Sequence, residues 1–436
     1  MVTFKMSEKK RRREGALAQR EKQLAFSLLL PTFLLVLSIV LLPLIANFWI
    51  SIKPITLADL RPPSLIVKEQ LRGKLQEAGD VARIEYRFRN SSIKYSLTSV
   101  HFSDKLPPAL TITKLDPICS VISKSENGAT DFLCRLGDLD AKARGKIQIE
   151  IFANSNITNL KTILRSTEPK ISFQTYNILT SLDFTLDNFR KIFSADEFWN
   201  VLKVSIYYTV FGTAGALLFG LFAAQILQKA FPGRTLVRGL MLFPYVAPVI
   251  AVAFSWVVLF DPFSGAVNAM LLQMNVADGP INFFGQRTVD IELFGIPFQL
   301  PLALTMVILF EVWRYFPLSF LFILARMQSI PSDIYEAAEI DGATPMQKFW
   351  HLSLPFIAGI LAVLFLLRFI WTFNKFDDIF LLTGGNAGTR TLTVSVYEQA
   401  FAISNLGAGA AVAVVIFALL LVFSTVFIRF SPKDAA

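Results

Sequence analysis

The sequence predicts an all-α polytopic membrane protein with six transmembrane helices, interrupted by an inserted β domain outside the cytoplasm. The chain of 436 residues is 53% apolar and only 17% charged, whereas soluble domains carry about 25% charged residues. Its apolar residues form six long blocks, and a spanning helix needs about 20 such residues. Between the first two blocks, polar and apolar residues alternate as they do in strands. With two histidines and two cysteines, we expect no metal centre and no cofactor.

Each apolar block is long enough to cross a bilayer as a helix, because a helix satisfies its own backbone hydrogen bonds in lipid. A buried core helix is the alternative for any single block, but six together favour membrane spans. The predicted spans are Leu24–Ile52, Val201–Leu227, Leu236–Phe260, Leu300–Ala325, Pro355–Phe373 and Gly407–Ile428. The chain then divides into a tail (1–23), the first span (24–52), an insert (53–197), a five-span core (198–429) and a short tail (430–436).

Basic residues set the orientation, because cytoplasmic ends of spans carry excess Lys and Arg. Clusters at 9–13, 229–234 and 429–433 all fall on one side if the spans alternate. We therefore expect both termini in the cytoplasm and the insert outside it. A cleaved signal peptide is the alternative for the N-terminus, but its apolar block exceeds the usual 7–15 residues. The same rule explains the basic surplus without nucleic acid.

The sequence pattern of the insert predicts a small antiparallel β-sandwich at about residues 80–155. Residues 83–89 and 146–151 alternate strictly between polar and apolar side chains, so each predicts a strand with one buried face. Turn residues at 90–92, 107–108, 127–128 and 137–138 divide the region into short segments. No catalytic constellation is present, so we expect the insert to contact a partner or to brace the protein.

The stretch from Tyr86 to Ala153 resembles a bacterial surface Ig-like repeat, on residues 104–111, Cys119 and 134–139. The two cysteines, Cys119 and Cys134, lie in the one segment expected in an oxidising compartment. We expect a disulfide between them, with two buried free thiols as the alternative.

The segment after the fourth span predicts a short helix between two spans. Pro331 ends the preceding helix, Ser332 or Asp333 can cap a new one, and residues 335–340 are good helix formers. Gly342 ends the run. Small and acidic side chains on such a helix suit insertion into a groove on a soluble partner, whereas an ordinary interhelical turn is the alternative.

The same loop carries a spacing that resembles a known signature. Glu-Ala-Ala, three residues, Gly, nine residues and an aliphatic-x-Leu-Pro are typical of permease subunits of binding-protein-dependent ABC importers. The matching residues are Glu336, Ala337, Ala338, Gly342, Leu352, Leu354 and Pro355. Leu352 stands where isoleucine is usual, and Pro355 is where we expect the fifth span to start.

The resemblance extends over most of 182–429 and the first span. Within the family, the chain most resembles the larger permease subunit of the maltose type, which also carries an exported insert after an early span. That subunit has more than one span before its insert, whereas this chain has one. The resemblance implies the fold of a type I ABC importer permease, and it implies that the spans lie in the inner membrane of a bacterial cell.

The resemblance also implies partners, because the chain has no Gly-x-x-x-x-Gly-Lys loop to hold nucleotide phosphates. It implies a transport subunit without ATPase or other catalytic residues, two cytoplasmic ATPase subunits, a second permease subunit that makes a heterodimer, and an extracytoplasmic solute-binding protein. The coupling loop is 331–355, and the residues expected to contact the ATPase are Tyr335, Glu336, Ala337, Ala338, Asp341, Gly342 and Ala343.

The transported solute is expected to be a sugar or oligosaccharide. Aromatic faces and planar polar groups recognise sugars, so candidate pathway residues are Trp256, Trp313, Tyr315, Trp371, Asn374 and Asp377. Membrane aromatics also serve packing and interfacial belts, and Glu311 with Arg314 reads as a structural pair within one helix. The alternatives are a glycerol-phosphate-like or other polar solute, a receptor or scaffold that adheres through its Ig-like domain, and a secondary transporter.

Overall fold

The computed structural model describes residues 16–75, 77–124, 128–155, 168–293 and 295–431. The chain forms two compact units: residues Ile55–Phe184 form one, and the segments before and after them form the other. The basic residues at 9–13 and Lys433, on which the orientation argument depends, lie outside the described residues.

The second unit is helical, and apolar residues dominate its long helices. In chain order its helices are α1 (Ala16–Leu35), α2 (Leu42–Ser51), α3 (Asp187–Ser194), α4 (Asp196–Gln228), α5 (Arg234–Met241), α6 (Phe243–Val246), α7 (Val249–Leu259), α8 (Ala266–Gln273), α9 (Leu302–Gln328), α10 (Ser332–Ile340), α11 (Pro345–Lys348), α12 (Leu354–Phe373), α13 (Asp377–Thr383), α14 (Leu392–Tyr397) and α15 (Leu406–Phe430). Wide π turns at Val36–Leu41 and Phe349–Ser353 join α1 to α2 and α11 to α12.

Among the described residues, five continuous helices are long and apolar enough to cross a membrane. They are Leu24–Ser51, Asp196–Gln228, Leu302–Gln328, Pro345–Phe373 and Leu406–Phe430, and they coincide with five of the six predicted spans.

The predicted third span is not one continuous helix. It consists of two helical pieces, Arg234–Val246 and Val249–Leu259, that meet at an angle of 92°. Pro248 lacks an N–H group and disfavours helical backbone at the residue before it, and Ala247 is accordingly extended, with ψ 143°.

Helices α4 and α9 pack through small residues that let their backbones approach. A Cβ atom on Gly220 would lie 2.7 Å from the Cβ of Ser319 and 2.8 Å from the backbone nitrogen of Phe320. A Cβ on Gly215 would lie 2.4 Å from a methyl group of Val312. Such close contact between glycine and a facing helix is typical of helix pairs in membranes.

The first unit consists of two four-stranded antiparallel sheets, with strand orders β1-β2-β7-β4 and β5-β6-β3-β8. Their strands are β1 (Leu65–Arg72), β2 (Val81–Asn90), β3 (Leu97–Leu106), β4 (Leu110–Lys114), β5 (Cys119–Lys124), β6 (Thr130–Leu139), β7 (Arg144–Ala153) and β8 (Lys170–Thr175). The predicted strands at 83–89 and 146–151 lie inside β2 and β7. Strands β1 and β8 lie outside the predicted limits of about 80–155.

The core of this unit contains buried aromatic and aliphatic side chains from both sheets, including Tyr86, Phe102 and Phe132. The ring centroids of Tyr86 and Phe102 lie 5.3 Å apart. Cys119 and Cys134 face each other across β5 and β6 and are joined by a disulfide.

The predicted turn at 137–138 is wrong, because both residues lie within β6. Gly137 has φ +73°, a conformation that favours glycine. The pairing of β6 with β3 shifts at this point, between Val100 and His101. A positive-φ glycine in a strand is typical of a β-bulge.

A short hairpin lies between α8 and α9 and was not predicted. Its strands are β9 (Val289–Leu293) and β10 (Ile296–Leu300), which pair in antiparallel register. The alternation of Val, Asp, Ile, Glu and Leu over 289–293 is the sequence signal that favours a strand here.

Candidate functional site

Helix α10 is the short helix predicted between two spans, and it begins one residue earlier than a Ser332 cap would place it and two residues earlier than an Asp333 cap would. Pro331 is the N-cap residue, with φ −57°, and no side chain caps the helix. Ser332 is therefore already helical, so the predicted cap is wrong. Asp333 lies in the first turn, where a carboxylate interacts favourably with the helix dipole.

The C-terminus of α10 closes through backbone hydrogen bonds around Gly342. The N–H groups of Asp341, Gly342 and Ala343 donate to the carbonyl groups of Ala337, Glu339 and Ala338, respectively. Gly342 has φ +78°, and a Cβ atom there would meet nothing within 4 Å. The glycine is required by the left-handed backbone of this helix end rather than by lack of space.

One side of α10 is fixed to the long helices. Ile334 and Tyr335 pack against a buried cluster that includes Phe320, Ile323 and Met327 of α9. The hydroxyl groups of Tyr335 and Ser353 lie 2.9 Å apart in a hydrogen bond. These contacts join α10 to α9 and to the π turn that leads into α12.

The other side of α10 is exposed. Glu336, Ala337 and Glu339 face outward, and the side chain of Ile340 is 87% exposed. Trp350 in the following turn is 56% exposed. The outward side of α10 thus presents small, acidic and large apolar side chains.

The segment after α10 is held by a second set of contacts. The ammonium group of Lys348 lies 2.5 Å from Oε1 of Glu339. This hydrogen bond holds the pKa of the Glu339 carboxyl group below its ordinary value. Thr344 caps α11 and exchanges hydrogen bonds with Gln347.

Helix α12 begins at Leu354, one residue before the predicted start of the fifth span at Pro355. Helix α11 and the π turn at Phe349–Ser353 lead into α12 without a break, so the continuous helix runs from Pro345 to Phe373. Proline is tolerated at Pro355 because it lies at the start of α12, directly after that turn.

A cluster of charged side chains lies buried among the long helices. The carboxylate of Glu311 on α9 is fully buried and lies 2.5 Å from Nη2 of Arg368 on α12. It also accepts hydrogen bonds from the hydroxyl groups of Tyr208 on α4 (3.0 Å) and Thr372 on α12 (2.9 Å). One carboxylate thus joins three helices.

The predicted pair of Glu311 with Arg314 is wrong. Arg314 instead lies 4.0 Å from a carboxylate oxygen of Asp378, and its Nη2 donates to the carbonyl oxygen of Ala247 at the helix break (3.3 Å). Glu311 takes Arg368 as its partner, because that guanidinium group enters from a facing helix. The sequence does not reveal which charged side chains of neighbouring helices face each other, and these contacts determine the ion pairs that form.

The predicted pathway residues fall into separate places. Trp256 and Trp313 lie together, with ring centroids 5.5 Å apart, in an apolar cluster with Phe310. The ring of Tyr315 is faced by Arg314, Arg368 and Lys375, the last at 4.2 Å from its centroid.

Of the remaining pathway residues, Asp377 reaches the Tyr315 group through Lys375, whereas Asn374 and Trp371 lie elsewhere. Asn374 lines a cavity of about 560 Å³ whose other polar residues are Thr393 and Ser424. Asp377 lies 3.7 Å from the ammonium group of Lys375. Trp371 is half-exposed, with 52% of its surface accessible.

Two residues that matter to this region were not singled out from the sequence. Tyr208 was indistinguishable from an ordinary membrane aromatic, and Lys375 from a basic residue at the end of a span. Only the three-dimensional partners, Glu311 for Tyr208 and the Tyr315 ring for Lys375, reveal their roles.

The chain is similar to known transport proteins over its helical half. Residues 216–433 match the family described as the binding-protein-dependent transport system inner membrane component. The inner membrane ABC transporter permease protein YcjO of Escherichia coli (strain K12) is 35% identical over 235 residues, covering 54% of this chain and 75% of YcjO. The trehalose/maltose transport system permease protein MalF of Thermococcus litoralis is 32% identical over 245 residues, covering 56% and 78%.

The chain is also similar to a further relative and to one solved structure. The sn-glycerol-3-phosphate transport system permease protein UgpA of Escherichia coli is 32% identical over 253 residues, covering 56% of this chain and 79% of UgpA. A crystal structure of a bacterial alginate ABC transporter, in complex with its alginate-bound periplasmic protein, matches with a TM-score of 0.51 at 21% identity, covering 58% of this chain and 84% of that one. The structural match supports the fold alone.

Proposed function

This chain belongs to the family of binding-protein-dependent transport system inner membrane components and is a permease subunit of an ABC importer, and we propose that its solute is a sugar or oligosaccharide. In this proposal the chain forms part of the pathway that the solute takes across the membrane. Relatives named for trehalose and maltose support a carbohydrate. The paired indole rings of Trp256 and Trp313 offer apolar faces of the kind that sugars stack on. A glycerol-phosphate-like solute is the second candidate, favoured by the relative UgpA.

The coupling step depends on α10. In this proposal a cytoplasmic ATPase subunit receives the exposed face of α10, with Glu336 as a charged contact and Gly342 at the tip. Because Ile334 and Tyr335 fix α10 to the long helices, closure of two ATPase subunits would displace α9 and α12 together. The pathway would then open alternately to the two sides of the membrane.

The same proposal places both chain termini and α10 in the cytoplasm, and the β unit outside it. A second permease subunit, two ATPase subunits and a solute-binding protein complete the assembly. The two-sheet architecture of the insert supports an Ig-like fold, with a role in partner contact.

The test is to purify the assembly and identify the solute that its binding protein carries. We expect a neutral sugar or oligosaccharide in the binding protein, and uptake of that solute into proteoliposomes only when ATP is supplied to the ATPase side. A phosphorylated polyol in the binding protein would replace the carbohydrate assignment. Uptake driven by an ion gradient without ATP would contradict the importer itself.

A further inference from the structure

The outer face of the β1-β2-β7 sheet contains a concave basic surface. Residues Ile84 and Tyr86 of β2 point into the core, so the alternating residues of the same strands point away from it. On that outer face lies a cavity of about 560 Å³ that we name the basic groove. Its lining residues are Ile66, Lys68, Arg87, Phe88, Arg89, Arg144, Gly145 and Lys146.

The basic side chains of the groove lie directly opposite one another in the sheet. Lys68 pairs with Arg87, which pairs in turn with Lys146, and Arg89 pairs with Arg144. Neighbouring strands lie about 4.8 Å apart, and like charges at directly opposite positions destabilise a sheet. The repulsion between these like charges lowers the stability of the sheet, and an anionic ligand bound at this face would offset it.

Few acidic side chains balance the groove. Glu85 lies 2.5 Å from Nε of Arg87, and this bond lowers the pKa of the Glu85 carboxyl group. Within the described ranges of the chain, the other four basic side chains form no ion pair. By contrast, Arg83, two residues before Glu85 on the same strand, is paired with Glu150 at 2.9 Å.

The groove matches a ligand that carries several acidic groups in series. Guanidinium groups bind carboxylates with two parallel hydrogen bonds, and strand pairing places Arg89 directly opposite Arg144. The five basic side chains are exposed along this open groove, so a soluble chain that carries several carboxylates can contact them in turn. We propose that the basic groove binds a soluble acidic oligosaccharide, a chain of sugar acids whose carboxylates repeat along it.

This proposal goes beyond the transport role and does not depend on it. The groove contains no residue of the coupling loop or of the buried charge cluster. Its failure would leave the importer assignment intact, and loss of the importer assignment would leave the groove intact.

The experiment measures binding of a fluorescent hexauronate to the full chain in nanodiscs of neutral lipid. The double variant Arg89→Gln/Arg144→Gln should bind at least about tenfold more weakly, because two charge-assisted contacts are lost. Its melting temperature should stay equal or rise, because a like-charge pair is removed. A matched double variant, Lys124→Gln/Arg135→Gln, removes two exposed charges from the other sheet, and its affinity should stay within about twofold of wild type.

Several results would overturn the proposal. One is equal binding of the hexauronate and a neutral hexasaccharide. Another is an equal loss of affinity in the matched double variant, which would indicate a general charge effect. Tighter binding of tripolyphosphate, or of vesicles containing anionic lipid, would replace the glycan by a phosphate ligand. A lower melting temperature in the Arg89→Gln/Arg144→Gln variant would make these side chains structural.

Discussion

A Gly342→Trp variant is expected to reach the membrane at the wild-type level and to lose ATP-driven uptake. The residue lies at the exposed tip of α10, where a Cβ atom would meet nothing within 4 Å of the chain itself. A tryptophan there leaves the packing of Ile334 and Tyr335 unchanged but fills the space that we assign to the ATPase. A clash at the centre of an interface costs at least about 2 kcal/mol, so ATPase binding should weaken by roughly thirtyfold.

The control is Gly233→Trp, measured for uptake and for ATPase co-purification in parallel. Gly233 also has a positive φ, +83°, and open space around it, but it lies before α5 rather than in the coupling loop. The Gly233→Trp variant therefore introduces the same side chain and similar backbone strain outside the coupling loop. Wild-type uptake in Gly342→Trp, or equal loss in both variants, would contradict the coupling role of α10.

Removal of either partner of the buried Glu311–Arg368 pair is expected to destabilise the helical unit severely. Both side chains are almost fully buried, and Glu311 also accepts hydrogen bonds from Tyr208 and Thr372. Glu311→Ala leaves the Arg368 charge without its partner in apolar surroundings. The free energy of unfolding should fall by about 3–5 kcal/mol. This loss should appear as a large drop in the melting temperature of the detergent-solubilised protein.

An exposed ion pair provides the matched comparison. Glu197 pairs with Arg390, but its side chain is 67% exposed, so Glu197→Ala should cost no more than about 1 kcal/mol. The double variant Glu311→Met/Arg368→Met should recover most of the stability lost in Glu311→Ala, because no buried charge remains. An unchanged melting temperature in Glu311→Ala would refute the structural role of this pair.

The sequence predicted the elements whose signals are local. Long apolar blocks predicted five continuous spans, and strict alternation predicted β2 and β7. The 92° break between α6 and α7 was missed, because proline also occurs inside membrane helices that stay continuous, as Pro317 does in α9. Strand β8 was missed because only its pairing with β3, about 70 residues earlier in the chain, defines it.

The candidate site divides in the same way. The pattern from Pro331 to Gly342 predicted a short helix that ends just before Gly342, as α10 does, whereas the coupling role of this loop stays a prediction. The predicted partner of Glu311, Arg314, was wrong, because the sequence alone makes Arg314 and Arg368 equally plausible partners. Sequence spacing identifies neighbours on one helix, whereas partners on facing helices depend on tertiary packing.

The most direct test of the account is the side of the membrane that α10 faces. A cysteine is introduced at exposed Asp341 and treated with a membrane-impermeant maleimide, since the native Cys119 and Cys134 are joined in a disulfide. Asp341→Cys should react in inside-out vesicles and remain unlabelled in intact right-side-out cells, whereas Lys114→Cys in the insert should show the reverse. Labelling of Asp341→Cys from outside intact cells would contradict the coupling of α10 to a cytoplasmic ATPase.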